Sequence, residues 1–370
     1  MVHNNVMRYK VRDVFDDVTK YGTKIKTSQY LEHGKYPIFD QGKDYIAGYT
    51  NEDEGIFQKV PVILFGDHTG ILKYITRPCF LGADGVKLLK PKDSNIVVKY
   101  LFYALNNVNI PDAGYSRHFK WLKEGEIPIP PKEQQSMIVE ILDELSYIVQ
   151  KEKEMLIKFD ELVKSRFLEM FGNMIHVSSG FREMTLEEVC RKNGDVRCGP
   201  FGTQLSKSDY LDSGVPVWGI PEINSGFQIR ASDYISKEKA NLLSLYSIIS
   251  GDIVMSRKGN VGKCEIYPSG YPVGIMHSDV LRIRVNKDLV NPTFLKYQFH
   301  FSERIKHQID IVSHGAIMAG INVTKLKNIN VLLPAINRQN QFSEFIHQVD
   351  KSKYCGAISL HLLEDVSHML

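Results

Sequence analysis

Between Glu133 and Phe171 the chain contains neither proline nor glycine, and its apolar residues keep a fixed register. Leu142, Val149, Leu156, Val163 and Met170 are spaced by seven. Ile141, Ile148, Met155 and Leu162 form a second row on the adjoining face, and Lys151, Glu152, Lys153, Glu154, Lys158 and Asp160 face away. This periodicity predicts a coiled-coil-like helix that Gly172 ends. Roughly 39 residues at 1.5 Å each make it about 60 Å long. A second helix is expected from Arg338 onward, with Phe342, Val349, Leu363 and Leu370 on the same spacing and Gly356 in the remaining position. Glycine costs about 1 kcal/mol of helix propensity against alanine, so a kink or loose turn is expected there. Neither apolar stripe can stay in water. The two helices are therefore expected to pack on each other, antiparallel because a globular domain intervenes. A 60 Å helix is too long to fold back along a domain of ~130 residues.

The rest of the chain alternates short β-branched or aromatic runs with Gly, Pro, Asn and Asp turns, which predicts an α+β class. It also repeats. Residues 121–145, WLKEGEIPIPPKEQQSMIVEILDEL, and 325–349, KLKNINVLLPAINRQNQFSEFIHQV, superpose with a shift of 334 − 130 = 204. Leu122 then falls on Leu326, Ile127 on Val331, Pro130 on Pro334, Gln135 on Gln339, and Leu142 on Ile346. The shared grammar is an apolar strand, a proline that ends it, a Gln-bearing first turn, and an amphipathic helix. The period far exceeds the ~20–50 residues of solenoid units and implies two similar domains, each followed by a helix. Other landmarks recur in order: KVRDV at 10–14 and TLEEV at 185–189, then VPVILFGDHTG at 60–70 and GDIVMSRKGNVG at 251–262, then Lys99-Tyr100 and Lys296-Tyr297. The expected organisation is a globular domain over 1–130, a spacer helix over 131–174, a second domain over 175–334 and a second helix over 335–370.

At 370 residues, with 43% apolar and 24% charged residues, the chain has the composition of a soluble protein of two or three domains. Its net charge of +3 divides unevenly. Residues 1–130 hold 18 basic against 15 acidic side chains, 131–172 hold 6 against 9, and 335–370 hold 3 against 4, leaving +4 for 173–334. The globular halves are basic, as nucleic-acid binding requires, and the helical segments acidic. Cys79, Cys190, Cys198, Cys264 and Cys355 show no C-x-x-C pairing and read as reduced core residues, not a disulfide framework or zinc site. No apolar stretch has signal-peptide length or nears the ~18 residues of a membrane span. The expected location is the cytoplasm.

Catalytic patterns are absent from the sequence. Asn291-Pro292-Thr293-Phe294 resembles an amino-methyltransferase loop but lacks its second proline, and an Asn N-cap followed by Pro at N1 explains the same residues. Gly259 to Cys264 falls short of a phosphate loop, which needs four residues between its glycines and Ser or Thr after Lys. Twelve histidines show no ligand spacing. No metal site or cofactor is expected in the chain.

With these landmarks the chain resembles the specificity subunit of type I restriction-modification systems, over essentially its whole length. The strongest match is IPIPPKEQQSMIVEILD at 127–143, similar to the family's strand, Pro-Pro, Glu-Gln and Ile-Val helix start. Gln134 stands where Glu is usual, and the second copy has Ala335 and Arg338 in place of the second proline and the glutamate. The resemblance implies two target-recognition domains joined by two long antiparallel helices in a pseudo-twofold repeat. It implies a non-catalytic subunit that reads a bipartite site in double-stranded DNA with a fixed gap and binds two modification subunits. S-adenosylmethionine would belong to the modification partner, and ATP and magnesium to a restriction and translocase partner. A coiled-coil scaffold that binds only protein, and a self-contained methyltransferase or nuclease, remain as alternatives.

Side chains able to bond base edges or phosphates gather in the turns. In the first half these are Gln41 and Lys43, His68 and Thr69, and Tyr115, Arg117, His118 and Lys120. In the second they are Gln204 and Lys207, Arg257, Lys258 and Asn260, and His314. Arg257 and Lys258 stand out because they follow a clear strand.

Overall fold

The computed structural model describes residues 7–82, 85–111, 116–175, 180–192, 194–259, 261–313 and 320–369. The chain divides into two compact units, one of residues 1–153 with 359–370 and one of 154–358. Each boundary falls inside a long helix.

In the first unit, β1 (Arg8–Lys10), α1 (Val11–Val14), β2 (Phe15–Asp17), β3 (Tyr36–Phe39), β4 (Gly48–Thr50), β5 (Val62–Gly66), β6 (Leu72–Ile75), β7 (Phe80–Leu81) and β8 (Val86–Pro91) precede α2 (Val98–Asn106), α3 (Phe119–Glu124) and β9 (Glu126–Pro128). They form a pair β1-β9, a sheet ordered β2-β8-β5-β6 and a sheet ordered β4-β3-β7. β5 is central in its sheet and buried at every residue, which is why Val62–Phe65 reads as a continuous apolar run and not an alternating one. Ile63 and Phe65 pack towards Leu101, Leu105 and Leu122 of the helices, and Val62 and Leu64 towards Phe39 and Leu81 of the other sheet.

The second unit repeats this topology. Its elements are β10 (Arg182–Thr185), β11 (Val196–Cys198), β12 (Val215–Trp218), α5 (Ile220–Asn224), β13 (Asp233–Ile235), α6 (Lys237–Leu242), β14 (Ser247–Ile248), β15 (Ile253–Ser256), β16 (Cys264–Ile266), β17 (Gly274–Met276), β18 (Val280–Ile283), α7 (Pro292–Phe301), α8 (Glu303–Ser313), α9 (Val323–Lys327) and β19 (Asn330–Leu333). The sheets are β10-β19, β11-β18-β15-β16 and β13-β12-β17-β14. Strand for strand the sheets match those of the first unit apart from β14, down to a parallel strand pair in each, β3 with β7 and β12 with β17. The α5, α6, β14 and α8 segments are additions. Asn291 caps α7 as its sequence suggests, its Oδ1 accepting the N–H groups of Thr293 and Phe294 at 2.9 and 3.4 Å.

The long helices are α4 (Lys132–Phe171) and α10 (Ile336–Met369). α4 is 40 residues long, about 60 Å. Within the second unit its end runs antiparallel to the start of α10: Asp160 pairs with Lys353, Phe167 meets Phe342 edge to face with ring centres 5.5 Å apart, and Arg338 donates to the carbonyl of Met170. Two expectations need correction. α10 continues through Gly356 without a break, because one glycine weakens a helix less than its flanking turns hold it. Of the two apolar rows on α4, only the first turns inward, with Leu142 and Val163 buried. Ile141, Ile148, Met155 and Leu162 are 46%, 37%, 49% and 47% exposed, since a two-helix seam covers one strip of a helix. Leu370 lies outside the described residues. Cys79 and Cys264 are buried as expected of core residues, Cys190 and Cys198 are half-buried, and Cys355 is exposed on the helix surface.

The shared glutamine of the repeat has a structural task. Gln135 is 1% exposed; its Nε2 donates to Pro130 O at 2.8 Å and its Oε1 accepts the N–H of Val97 at 2.8 Å. Gln339, fully buried, donates to Pro334 O at 2.8 Å and accepts the N–H of Asn291 at 2.9 Å. Val97 and Asn291 precede α2 and α7, so each glutamine ties the first turn of a long helix to its own domain. Removing one leaves a partly buried N–H and a buried carbonyl unpaired, at about 1–3 kcal/mol. Gln135→Ala and Gln339→Ala are expected to lose that much in urea unfolding, with additive losses in the double variant because the sites share no partner. A loss below about 0.5 kcal/mol would show the bonds to be dispensable.

Candidate nucleic-acid interface

In the first unit the chain leaves β5 at Gly66 and turns through Asp67–Gly70. Three bonds to buried Asp67 set this turn in place. Its N–H donates to Gly85 O at 2.7 Å, its carbonyl accepts the N–H of His118 at 2.6 Å, and its carboxylate accepts the N–H of Phe119 at 2.9 Å at the start of α3. Gln41 fills the corner: its Oε1 accepts the N–H of His68 at 3.1 Å and its carbonyl accepts the Thr69 hydroxyl at 2.9 Å. Gly85 has φ +96°, and a Cβ there would lie 2.6 Å from Gln41 Nε2 and 2.9 Å from the His68 ring, so only glycine leaves room for both side chains. Beside the turn lies a cleft of about 600 Å³ whose walls include Thr69, Gly70, Asn106, Asn107, Asn109 and His118. Neither ring nitrogen of His118 has a hydrogen-bond partner among the described residues.

The second unit builds a cleft at the same place. Arg257 follows β15; its N–H donates to Asp279 O at 2.9 Å and its carbonyl accepts the N–H of Ile321 at 3.1 Å. Arg257 thus stands where Asp67 does, and Asp279 where Gly85 does. The Ser256 hydroxyl donates to Lys258 O at 2.6 Å and tightens the turn. The guanidinium of Arg257 lies 4.8 Å from the centre of the Phe201 ring, and Lys258 Nζ is 2.8 Å from Asp279 Oδ1. Asn322 caps α9 by accepting the N–H of Lys325 at 2.8 Å, and Lys325 Nζ donates to Val312 O at 2.6 Å. Arg257, Lys258, Asp279, Asn322 and Lys325 line a cleft of about 790 Å³. Burial pushes the nearby Cys198 thiol up, against the pull of the Arg257 charge, which keeps it from acting as a thiolate.

The residues singled out in the sequence separate accordingly. Thr69 and His118 line the first cleft, with Gln41 and His68 in the turn beside it, and Arg257 and Lys258 line the second. Gln204 joins the second through Phe201: its Oε1 accepts the N–H of Phe201 at 3.4 Å and the hydroxyl of Tyr246 at 2.9 Å. Lys120 is exposed, with its ammonium 4.6 Å from the Trp121 ring centre. Lys43, Arg117 and Lys207 are exposed and line neither cleft. Tyr115, Asn260 and His314 lie outside the described residues. Sequence reasoning missed Phe201, Asp279, Asn322 and Lys325. Only Asn322, before Val-Thr-Lys and a short helix, carried a local signal, that of an N-cap.

Residues 4–158 and 178–354 match the family described as the type I restriction modification DNA specificity domain, once for each repeat. The chain belongs to this family. Over 356 residues it is 24% identical to the EcoR124I/EcoR124II specificity subunit of a type I restriction enzyme from Escherichia coli, covering 91% of this chain and 84% of the relative. The S subunit of the type I system of M. genitalium shares its fold, with a TM-score of 0.60 at 16% identity over 100% of this chain and 96% of that one. A chain from a structure of type I R-M complex assembly and conformational transition has a TM-score of 0.56 at 13% identity, over 98% and 95%. Two specificity domains, each followed by a long helix, are therefore its organisation.

The glycines at the two turns are held to different degrees. Gly85→Ala meets both positive φ and a filled corner, and is expected to destabilise the protein by about 1–3 kcal/mol. Gly259→Ala, at φ +74° with open space around the added carbon, is expected to cost only the backbone component, about 1 kcal/mol. Parallel urea unfolding of both variants checks the difference, and equal losses would mean that Gln41 and His68 yield without cost.

Proposed function

We propose that this chain is the non-catalytic, sequence-reading subunit of a type I restriction-modification complex, binding double-stranded DNA at a bipartite site with one half-site to each cleft. The observation that carries this reading is the repeated cleft itself. Matching backbone bonds place it at one point of both domains, while its lining is neutral and amide-rich in one copy and Arg/Lys-bearing in the other. A constant frame with a variable lining suits two different half-sites. The exposed cations Arg117 and Lys120 in one half and Lys207 in the other supply phosphate attraction. The helices set the gap between half-sites. The exposed row Ile141, Ile148, Met155 and Leu162, a regular apolar strip in water, is a docking face for two modification subunits. S-adenosylmethionine then belongs to the modification partner, ATP and magnesium to a restriction and translocase partner, and the site of action is the cytoplasm.

The test is to map methylated sites for the complex assembled with its modification subunits, after inserting four residues between Val149 and Leu156. The helix lengthens by about 6 Å, and at ~3.4 Å per base pair the gap is expected to grow by one or two base pairs with both half-sites unchanged. Altered half-sites with the old gap would overturn the spacer role. Methyl transfer by the chain alone, in proportion to its concentration, would overturn the non-catalytic one.

Arg257 and Lys258 are expected to behave differently. Arg257→Ala should damage recognition of only the half-site read by the second repeat, by about 1–3 kcal/mol at one position. Lys258→Ala should weaken all sequences alike and lower the salt slope by about 1. Binding series over single-base variants at two salt concentrations measure both, and unchanged affinity and preference in the two variants would remove this turn from the interface.

A further inference from the structure

The position whose carbonyl is bonded to each turn differs between the two repeats. Gly85 occupies it in the first, where the Gln41 amide and the His68 ring take up the space a side chain would need. In the second the same place is held by Asp279. Its backbone is fixed on both sides, its carbonyl by the N–H of Arg257 at 2.9 Å and its N–H by His277 Nδ1 at 3.2 Å. The direction of its Cα–Cβ bond is therefore set. Asp279 lines the cleft with its side chain 26% exposed, and its Oδ1 is 2.8 Å from Lys258 Nζ.

A carboxylate in the wall of a cleft that must admit a polyanion opposes binding unless it accepts a hydrogen bond there. Duplex DNA offers few donors: the exocyclic amines of cytosine (N4) and adenine (N6) in the major groove, and of guanine (N2) in the minor groove. Resting on the DNA-reading function proposed above, we propose that Asp279 is a specificity-determining residue whose carboxylate accepts a hydrogen bond from the exocyclic amine of one base in the half-site read by the second repeat. Lys258 is its counter-ion in the free protein. Arg257 beside it is the complementary reader, offering donors where Asp279 offers acceptors, so the pair distinguishes amine-bearing from carbonyl-bearing base edges at adjoining positions.

The test crosses protein variants with base analogues, using the full chain in complex with its modification subunits. Wild type, Asp279→Ala, Asp279→Asn and Lys258→Met are each titrated with single-base variants of both half-sites. The same series uses purine for adenine, 2-pyrimidinone for cytosine and hypoxanthine for guanine, which delete the amine and identify its source. Wild type should lose about tenfold or more in affinity when one particular amine is deleted. Asp279→Ala should be indifferent to that deletion, with every other position and the other half-site unchanged. Lys258→Met should keep wild-type sensitivity at that base. Should Asp279→Ala fail to fold, the near-isosteric Asp279→Asn carries the test, with discrimination reduced at the same base alone. The inference is overturned if no single amine loses its effect, wholly in Asp279→Ala or partly in Asp279→Asn, if discrimination falls equally at every position, or if Lys258→Met alone relaxes that base. A wild-type complex with no sequence preference would instead overturn the function on which the inference rests.

Discussion

A long helix that projects from a domain can be aimed only by what happens at its first turn, and here that turn is fixed by one buried side chain. The amides of Gln135 and Gln339 each join the end of a strand, the start of a long helix and the residue before a domain helix. Glutamine suits this because a single planar group presents a donor and an acceptor on opposite sides. A buried amide tolerates no half-made state, since an unpaired group costs more than the pair contributes. The helix is consequently held in one orientation to its domain. Neighbouring bonds reinforce it in one unit: Tyr100 donates to Pro128 O, and Lys99 and Tyr103 both reach Asp143 on α4.

Much of this was legible in the amino acids. The seven-residue spacing located α4 to within a residue at each end, because forty residues without Pro or Gly leave little else to form. The repeat was legible because Pro130 and Pro334 end equivalent strands and Gln135 and Gln339 answer the same hydrogen-bonding need, even where most other residues have changed. Which apolar row of α4 would be covered was not legible, since Leu142 and Ile141 begin rows of identical spacing and only a partner surface distinguishes them. The continuity of α10 through Gly356 was missed because propensity weighs one residue while the helix answers to its neighbours on both sides.

The candidate site was legible in part for a similar reason. Turn residues such as His68, Thr69, Arg257 and Lys258 follow recognisable strands, so local pattern finds them. Asp279 reaches the cleft, and Phe201 reaches Arg257 in its wall, from far along the chain, and their roles exist only as pairs, Phe201 with Arg257 and Asp279 with Lys258. Nothing in either local sequence announces such a pairing.

The bonds that shape each cleft are mostly made by main-chain atoms: residue 67 to residues 85 and 118 in one, residue 257 to residues 279 and 321 in the other. Main-chain bonds are indifferent to side-chain identity. Replacing the side chains at these corners changes what the cleft presents while leaving the frame that presents it. Such an arrangement is evolvable: a lineage can drift through new specificities by substitutions at a few corners, without passing through an unfolded intermediate. The limit lies at corners like Gly85, where filled space and positive φ close off change, so the two repeats should differ in how freely their preferences can diversify.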